Sequence, residues 1–112
     1  MDLNGVLADP VKYAGKRIQL RGFLVNEHEN QGLYTSAAEA RNPRLDGTRS
    51  PQCQLPALVA PMRALWWQAS GTSEVACNQL QVSIEGTFDP CEAGHMSLFS
   101  GGLMDVNFVR SE

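Results

Sequence analysis

Lysine is nearly absent: the 112-residue chain has only Lys12 and Lys16, against 12 acidic side chains and a net charge of −3. Such a chain lacks the broad positive field that holds nucleic-acid backbones, so general nucleic-acid binding is disfavoured. Long apolar runs are missing too. None approaches the ~18 residues of a membrane-spanning helix, and no membrane span is expected. The opening MDLNGVLADP has neither the basic start nor the apolar stretch of a secretory leader. The chain as it stands is therefore expected in the cytoplasm, or in the periplasm if a leader has been removed.

Cysteine is sparse as well. Cys53, Cys77 and Cys91 are an odd number with no C-x-x-C pair, so at most one disulfide could close and no disulfide framework exists. Cys91 stands four residues before His95 in DPCEAGH, near Asp89, but the only other histidine is His28. A zinc site wants four converging ligands. No metal and no cofactor is expected, and the ordinary reading is three small, mostly buried thiols.

What is present is a globular composition, 43% hydrophobic and 19% charged. A chain of this length makes one domain, residues 1–112, that buries roughly two thirds of its unfolded surface. Leu3, Val6, Leu7 and Val11 recur at helical spacing. Asp2 is placed to cap the start, and Asp9-Pro10 breaks the run as a second N-cap and first-turn proline. The period then changes to two. In KRIQLRGFLV, Ile18, Leu20 and Leu24 share one side, while Arg17, Gln19, Arg21 and Phe23 share the other. NEHENQG turns the chain, with Gly32 as its expected pivot, and GLYTS returns, so residues 16–35 read as a hairpin. Ser36 and Glu39 have capping-box spacing before AAEAR, a short helix that Pro43 ends. Prolines 43, 51, 56 and 61 leave residues 42–61 as an irregular insertion. ALWWQAS and NQLQVSIEGTF are strands, HMSLFSGG is a compact segment closed by glycines, and LMDVNFVR is a final strand with Met104, Val106 and Phe108 on one face.

One internal echo adds to this. IQLRGFL at 18–24 and VSIEGTF at 82–88 share the form apolar-x-apolar-charge-Gly-x-apolar. Two strands bent at a glycine are what a small, strongly curled barrel requires. If they pair antiparallel, Arg21 and Glu85 come near one another outside. The fold expected is mainly β: an OB-like, five-stranded, partly open barrel with a short N-terminal helix and a long proline-rich insertion. A two-layer α+β sheet is the competitor.

The series GKRIQLRGFL, LYTS, ALWW, VSIEGTFDP and GHMSLFSGGLMDV resembles a group of small bacterial OB-fold-like proteins, over Tyr13 to Val106 apart from the insertion. The sharpest part is EGTFDP followed by GH-x-x-LFSG. Proteins of this group are similar to lipoproteins and, in some settings, to immunity proteins that neutralise a secreted toxin. The resemblance implies the barrel and a toxin-like protein partner, and it supplies no catalytic residues.

The strongest signal outside the core is charge asymmetry. Between residues 41 and 63, Arg41, Arg44, Arg49 and Arg63 face Asp46 alone, a balance of +3 that leaves −6 for the remainder of a chain of −3. Leu55, Leu58 and Val59 lie among the same prolines. Arginines and apolar residues on a proline-stiffened loop have the composition of a protein contact, although such a loop can equally fold back on the barrel. Trp66 and Trp67 are adjacent in a strand, so one indole enters the core while the other faces out, where Phe23 extends the platform. The expectation is a non-enzymatic protein-binding module, an immunity-type inhibitor of a toxin on the resemblance, using Phe23, Arg41, Arg44, Arg49, Leu58, Val59, Arg63, Trp66 and Trp67. A single-stranded nucleic-acid binder that stacks bases on the tryptophans is the second reading. An enzyme built on His95, with Cys91 as nucleophile, is the third, and the chain has no nucleophile elbow to support it.

Overall fold

The computed structural model describes residues 1–53, 60–71, 75–94 and 98–112, with the backbone alone at Phe108. Two short helices, α1 (Leu3–Ala8) and α2 (Pro10–Tyr13), precede five strands: β1 (Arg17–Glu27), β2 (Asn30–Tyr34), β3 (Met62–Ala69), β4 (Leu80–Asp89) and β5 (Phe99–Ser111). A third helix, α3 (Ala37–Arg41), lies between β2 and β3. The strands close in the order β1-β2-β3-β5-β4, with β1 and β4 completing the ring. All neighbours are antiparallel except β3 and β5, which run parallel with two register irregularities. This is the expected OB-like architecture, and its ladder runs fully round the barrel. No described helix is long and apolar enough to cross a membrane.

Alternation places Ile18, Leu20 and Leu24 of β1 inside, where they join Leu33, Leu65, Trp67, Val82, Ile84, Phe88, Leu103 and Val106. Leu3 and Val6 of α1 join the same cluster. The break at Asp9 is as expected, but neither Asp2 nor Asp9 caps a helix with its side chain. Asp2 instead bridges to Arg21, whose backbone N–H donates to the Met1 carbonyl at 3.0 Å, so the N-terminus is pinned to β1. The Ser36 hydroxyl does cap α3, accepting from Glu39 N–H at 3.1 Å.

Strands β1 and β4 pair antiparallel as the echo implied, but Gln19 lies opposite Glu85 and Arg21 opposite Ser83. The ion pair is therefore Arg17–Glu85, at 3.5 Å, rather than Arg21–Glu85. Gly22 and Gly86 lie at opposite ends of this ladder, opposite Val82 and Ile18. A Cβ on Gly22 would meet the Leu33 side chain at 2.9 Å, and one on Gly86 would meet Leu103 and the Met104 carbonyl at 2.8 Å. Both glycines let a neighbouring strand approach where the wall curls.

Three further readings are corrected. The hairpin turns at His28–Glu29, with Glu29 at φ 67°, whereas Gly32 lies within β2 opposite Val25. The last strand starts at Phe99, four residues early, and its interior residues are Leu103 and Val106. Glu85 pairs with Phe108 but Thr87 with Met104, so two extra residues of β5 bulge between them and interrupt the alternation there. Cys53 and Cys91 are not separate buried thiols but a disulfide, with Cys77 free.

Candidate functional site: an aromatic face on the barrel wall

Outward-facing residues of β1, β2, β3 and β5 form a second apolar cluster. Val25, Tyr34, Met62, Ala64 and Phe99 are buried in it, and Phe23, Ala40, Trp66 and Leu98 pack around its edge. Helix α3 and the β4–β5 loop cover part of this face, which is why it can be apolar on the outside of a barrel.

The tryptophans divide as the strand geometry requires. Trp67 is 1% exposed inside the barrel and donates its indole N–H to the Val25 carbonyl at 3.0 Å. Trp66 is half-buried on the outer wall, edge-on to Phe99 with ring centroids 5.6 Å apart. From the β4–β5 loop, Gly94 sits on the indole. That loop is shaped by Asp89, which accepts from Cys91 N–H at 3.0 Å, and by Glu92, which accepts from Gly94 N–H at 3.2 Å. Phe99 N–H donates to the Ala93 carbonyl at 3.1 Å and closes it.

Two depressions flank the uncovered part of the face. One is a groove beside Trp66, walled by Asn26, Glu27, His28, Glu29 and Gln31 of the β1–β2 hairpin. The other is a small pocket with Phe23, Val25, Ala37 and Ala40 among its walls and Arg41 at its side. Glu27 lines both. Its carboxylate accepts from the amides of Gln79, at 2.7 Å, and Asn78, at 3.4 Å. The Asn26 amide donates to the Val75 carbonyl at 2.6 Å, tying the β3–β4 loop to the same corner. Tyr34 donates to Asn30 at 2.9 Å, and burial, reinforced by the charge of Glu27, pushes its phenol pKa up.

The four arginines are not one patch. Arg44 is paired with the nearly buried Glu39 carboxylate at 2.7 Å, and Arg63 with Asp46 at 3.0 Å. Arg49 donates to the Phe99 carbonyl at 3.3 Å. Arg41 is exposed at the pocket beside Phe23. The described part of the insertion folds back on the wall: Gly47 N–H donates to the Pro61 carbonyl at 2.8 Å, Ser50 is buried, and Cys53 is bonded to Cys91. Leu58, Val59 and His95 lie outside the described residues. Cys91, held in the disulfide, offers no thiolate to a nucleophile or metal role.

The structure thus puts Phe23 and Trp66 on one outer face, with Arg41 beside Phe23, puts Trp67 inside, and uses Arg44, Arg49 and Arg63 to fasten the insertion. Sequence reasoning missed Tyr34, Phe99 and Gly94, and the Glu27–Asn78–Gln79 corner. Compared with protein-family models, curated proteins and solved structures, the chain finds no match at a significant level.

Proposed function

We propose that the protein is a non-enzymatic protein-binding module that docks a partner on the face around Trp66, in the manner of an immunity-type inhibitor. One observation carries the reading: a half-buried tryptophan, backed by Phe99 and Gly94, lines a groove on an apolar outer wall, with a second depression beyond Glu27. A preorganised indole with a polar rim is the usual anchor of an interface, because little side-chain entropy remains to be lost. The Cys53–Cys91 bond supports an oxidising compartment, since disulfides persist there and are reduced in the cytosol.

Affinity capture with the tagged chain, with and without nuclease, tests it. The expected result is one stoichiometric protein that survives nuclease and loses at least ~2 kcal/mol of affinity on Trp66→Ala with the barrel intact. A partner indifferent to Trp66→Ala removes the reading.

The aromatic wall also favours a second reading, since OB barrels stack single-stranded bases on such a face. It requires cations to track phosphates, whereas Arg44 and Arg63 are in ion pairs and two glutamates line the groove. Loss of all captured material on nuclease treatment, with a steep salt dependence of rebinding, would favour it.

A further inference from the structure

Glu27 is fastened in place by neutral donors. Among the described residues its side-chain partners are the amides of Asn78 and Gln79, which hold the carboxylate without forming an ion pair and remove its freedom to swing away. From Gly22 to Ala40 the chain contains no lysine or arginine. Among its described residues the groove beside Trp66 carries two carboxylates, Glu27 and Glu29, and no lysine or arginine, with His28 3.8 Å from Glu29. A cation entering there meets an oriented carboxylate and an indole together, two attractions that reinforce one another where water is partly excluded. A phosphate or carboxylate entering there meets like charge.

The pocket on the other side of Glu27 is lined by Phe23, Val25, Ala37 and Ala40 together with the polar Asn30, Gln79 and Arg41, and measures about 120 Å³. That is below the roughly 300–1,000 Å³ of small-molecule sites and suits a single side chain. The groove beside Trp66 is larger, about 520 Å³, but Trp66 is the one aromatic in a wall otherwise made of polar side chains, which suits a hydrated cationic head better than an apolar ligand. Because one residue separates the two depressions, an occupant of both carries its cation and its apolar group on neighbouring positions of one chain.

We infer that the face recognises a short segment of a partner protein in which a lysine or arginine stands next to an aliphatic residue. The cation lies in the Glu27–Trp66 groove and the aliphatic side chain in the pocket lined by Phe23. The inference rests on the protein-binding reading above and specifies the partner's chemistry.

Titration of the isotope-labelled full chain with a blocked tetrapeptide, acetyl-Gly-Arg-Leu-Gly-amide, tests it by backbone and indole NMR shifts. The expected result is weak, saturable binding with the largest shifts at residues 26–31 and at the Trp66 indole. Replacing the peptide's Arg by Gln, or its Leu by Gly, should weaken binding at least five-fold, and an Arg-to-Glu peptide should not bind. Glu27→Gln keeps the acceptor oxygen for Asn78 and Gln79 and removes only the charge, so it should weaken binding at least five-fold with an otherwise unchanged spectrum. Equal binding of the Arg and Glu peptides, shifts elsewhere on the barrel, or no binding at millimolar peptide would overturn the inference. A captured partner whose affinity falls with Trp66→Ala but is unmoved by Glu27→Gln would also remove this inference while leaving the protein-binding reading standing. Indifference to both variants would remove the two together.

Discussion

Gly94 lies directly against the Trp66 indole: a Cβ at this position would come within 2.5 Å of the ring, and the glycine holds φ at +67°. The contact joins the β4–β5 loop to the outer wall of β3. It also sets how much of the indole a partner can reach, since Phe99 already occupies one edge.

Gly94→Ala meets two obstacles at once, a left-handed backbone that costs an L-residue about 1–2 kcal/mol and a ring that must move. The expected outcome is a loss of about 1–3 kcal/mol in urea unfolding, with Trp66 more open to quenching by acrylamide. Wild-type stability together with wild-type quenching would show that the loop does not hold the indole.

The Cys53–Cys91 bond spans a sequence separation of 38 residues that includes β3 and β4. In the chain-entropy account, closing a loop of this length stabilises the fold by about 3–4 kcal/mol. Cys53→Ser with Cys91→Ser should lower the urea midpoint accordingly and leave the strand signal in circular dichroism intact, because all five strands close without it. An unchanged midpoint would show that the bond constrains nothing that matters to unfolding.

The two tryptophans should respond unequally to the same conservative change. Trp67→Phe leaves the buried Val25 carbonyl without its indole donor and opens space in the core, an expected loss of about 2–4 kcal/mol. Trp66→Phe stays on a half-buried wall and should cost less than about 1.5 kcal/mol. Thermal unfolding of both variants decides, and similar losses would contradict the division between core and outer wall.

Tyr34 makes stability depend on alkaline pH. Burial raises its folded-state pKa above the ordinary value of about 10. The native state thus holds the phenolic proton more tightly than the unfolded chain does, and the stabilisation is fully present below pH ~10 and is lost as pH rises through the folded pKa. Tyr34→Phe has no such proton. Its stability should fall less steeply than the wild type's above pH ~10, and parallel curves would remove Tyr34 as the cause.

Some of this was legible in residue order. Period-two alternation in Ile18, Leu20 and Leu24, the Ser36 cap of α3, and the repeated glycine in RGF and EGT are local or quasi-local signals, and the structure carries all of them. The split of Trp66 and Trp67 follows from strand geometry alone, although which indole faces inward does not. The β5 alternation was misread because a two-residue bulge in that strand is invisible in composition. The arginines of the insertion suggested a patch because charge counting does not show that Glu39 and Asp46 come within ion-pair distance of two of them.

Residue order alone decided the architecture: five amphipathic strands with glycines where two of them curl, a split N-terminal helix and an insertion that prolines keep irregular. Those are consequences of periodicity and backbone restriction, which act over a few residues. Tertiary structure alone decided the rest. Cys53 meets Cys91 and not Cys77 because the insertion folds back over the β3–β5 wall to the β4–β5 loop. Glu27 becomes a fixed carboxylate because the amides of Asn78 and Gln79, some fifty residues later, arrive at the hairpin. Trp66 is held half-buried on the outer wall because Gly94 and Phe99 close on it from another strand and loop. Each depends on which distant segments the closed ladder brings side by side, and no short-range pattern in the chain encodes that.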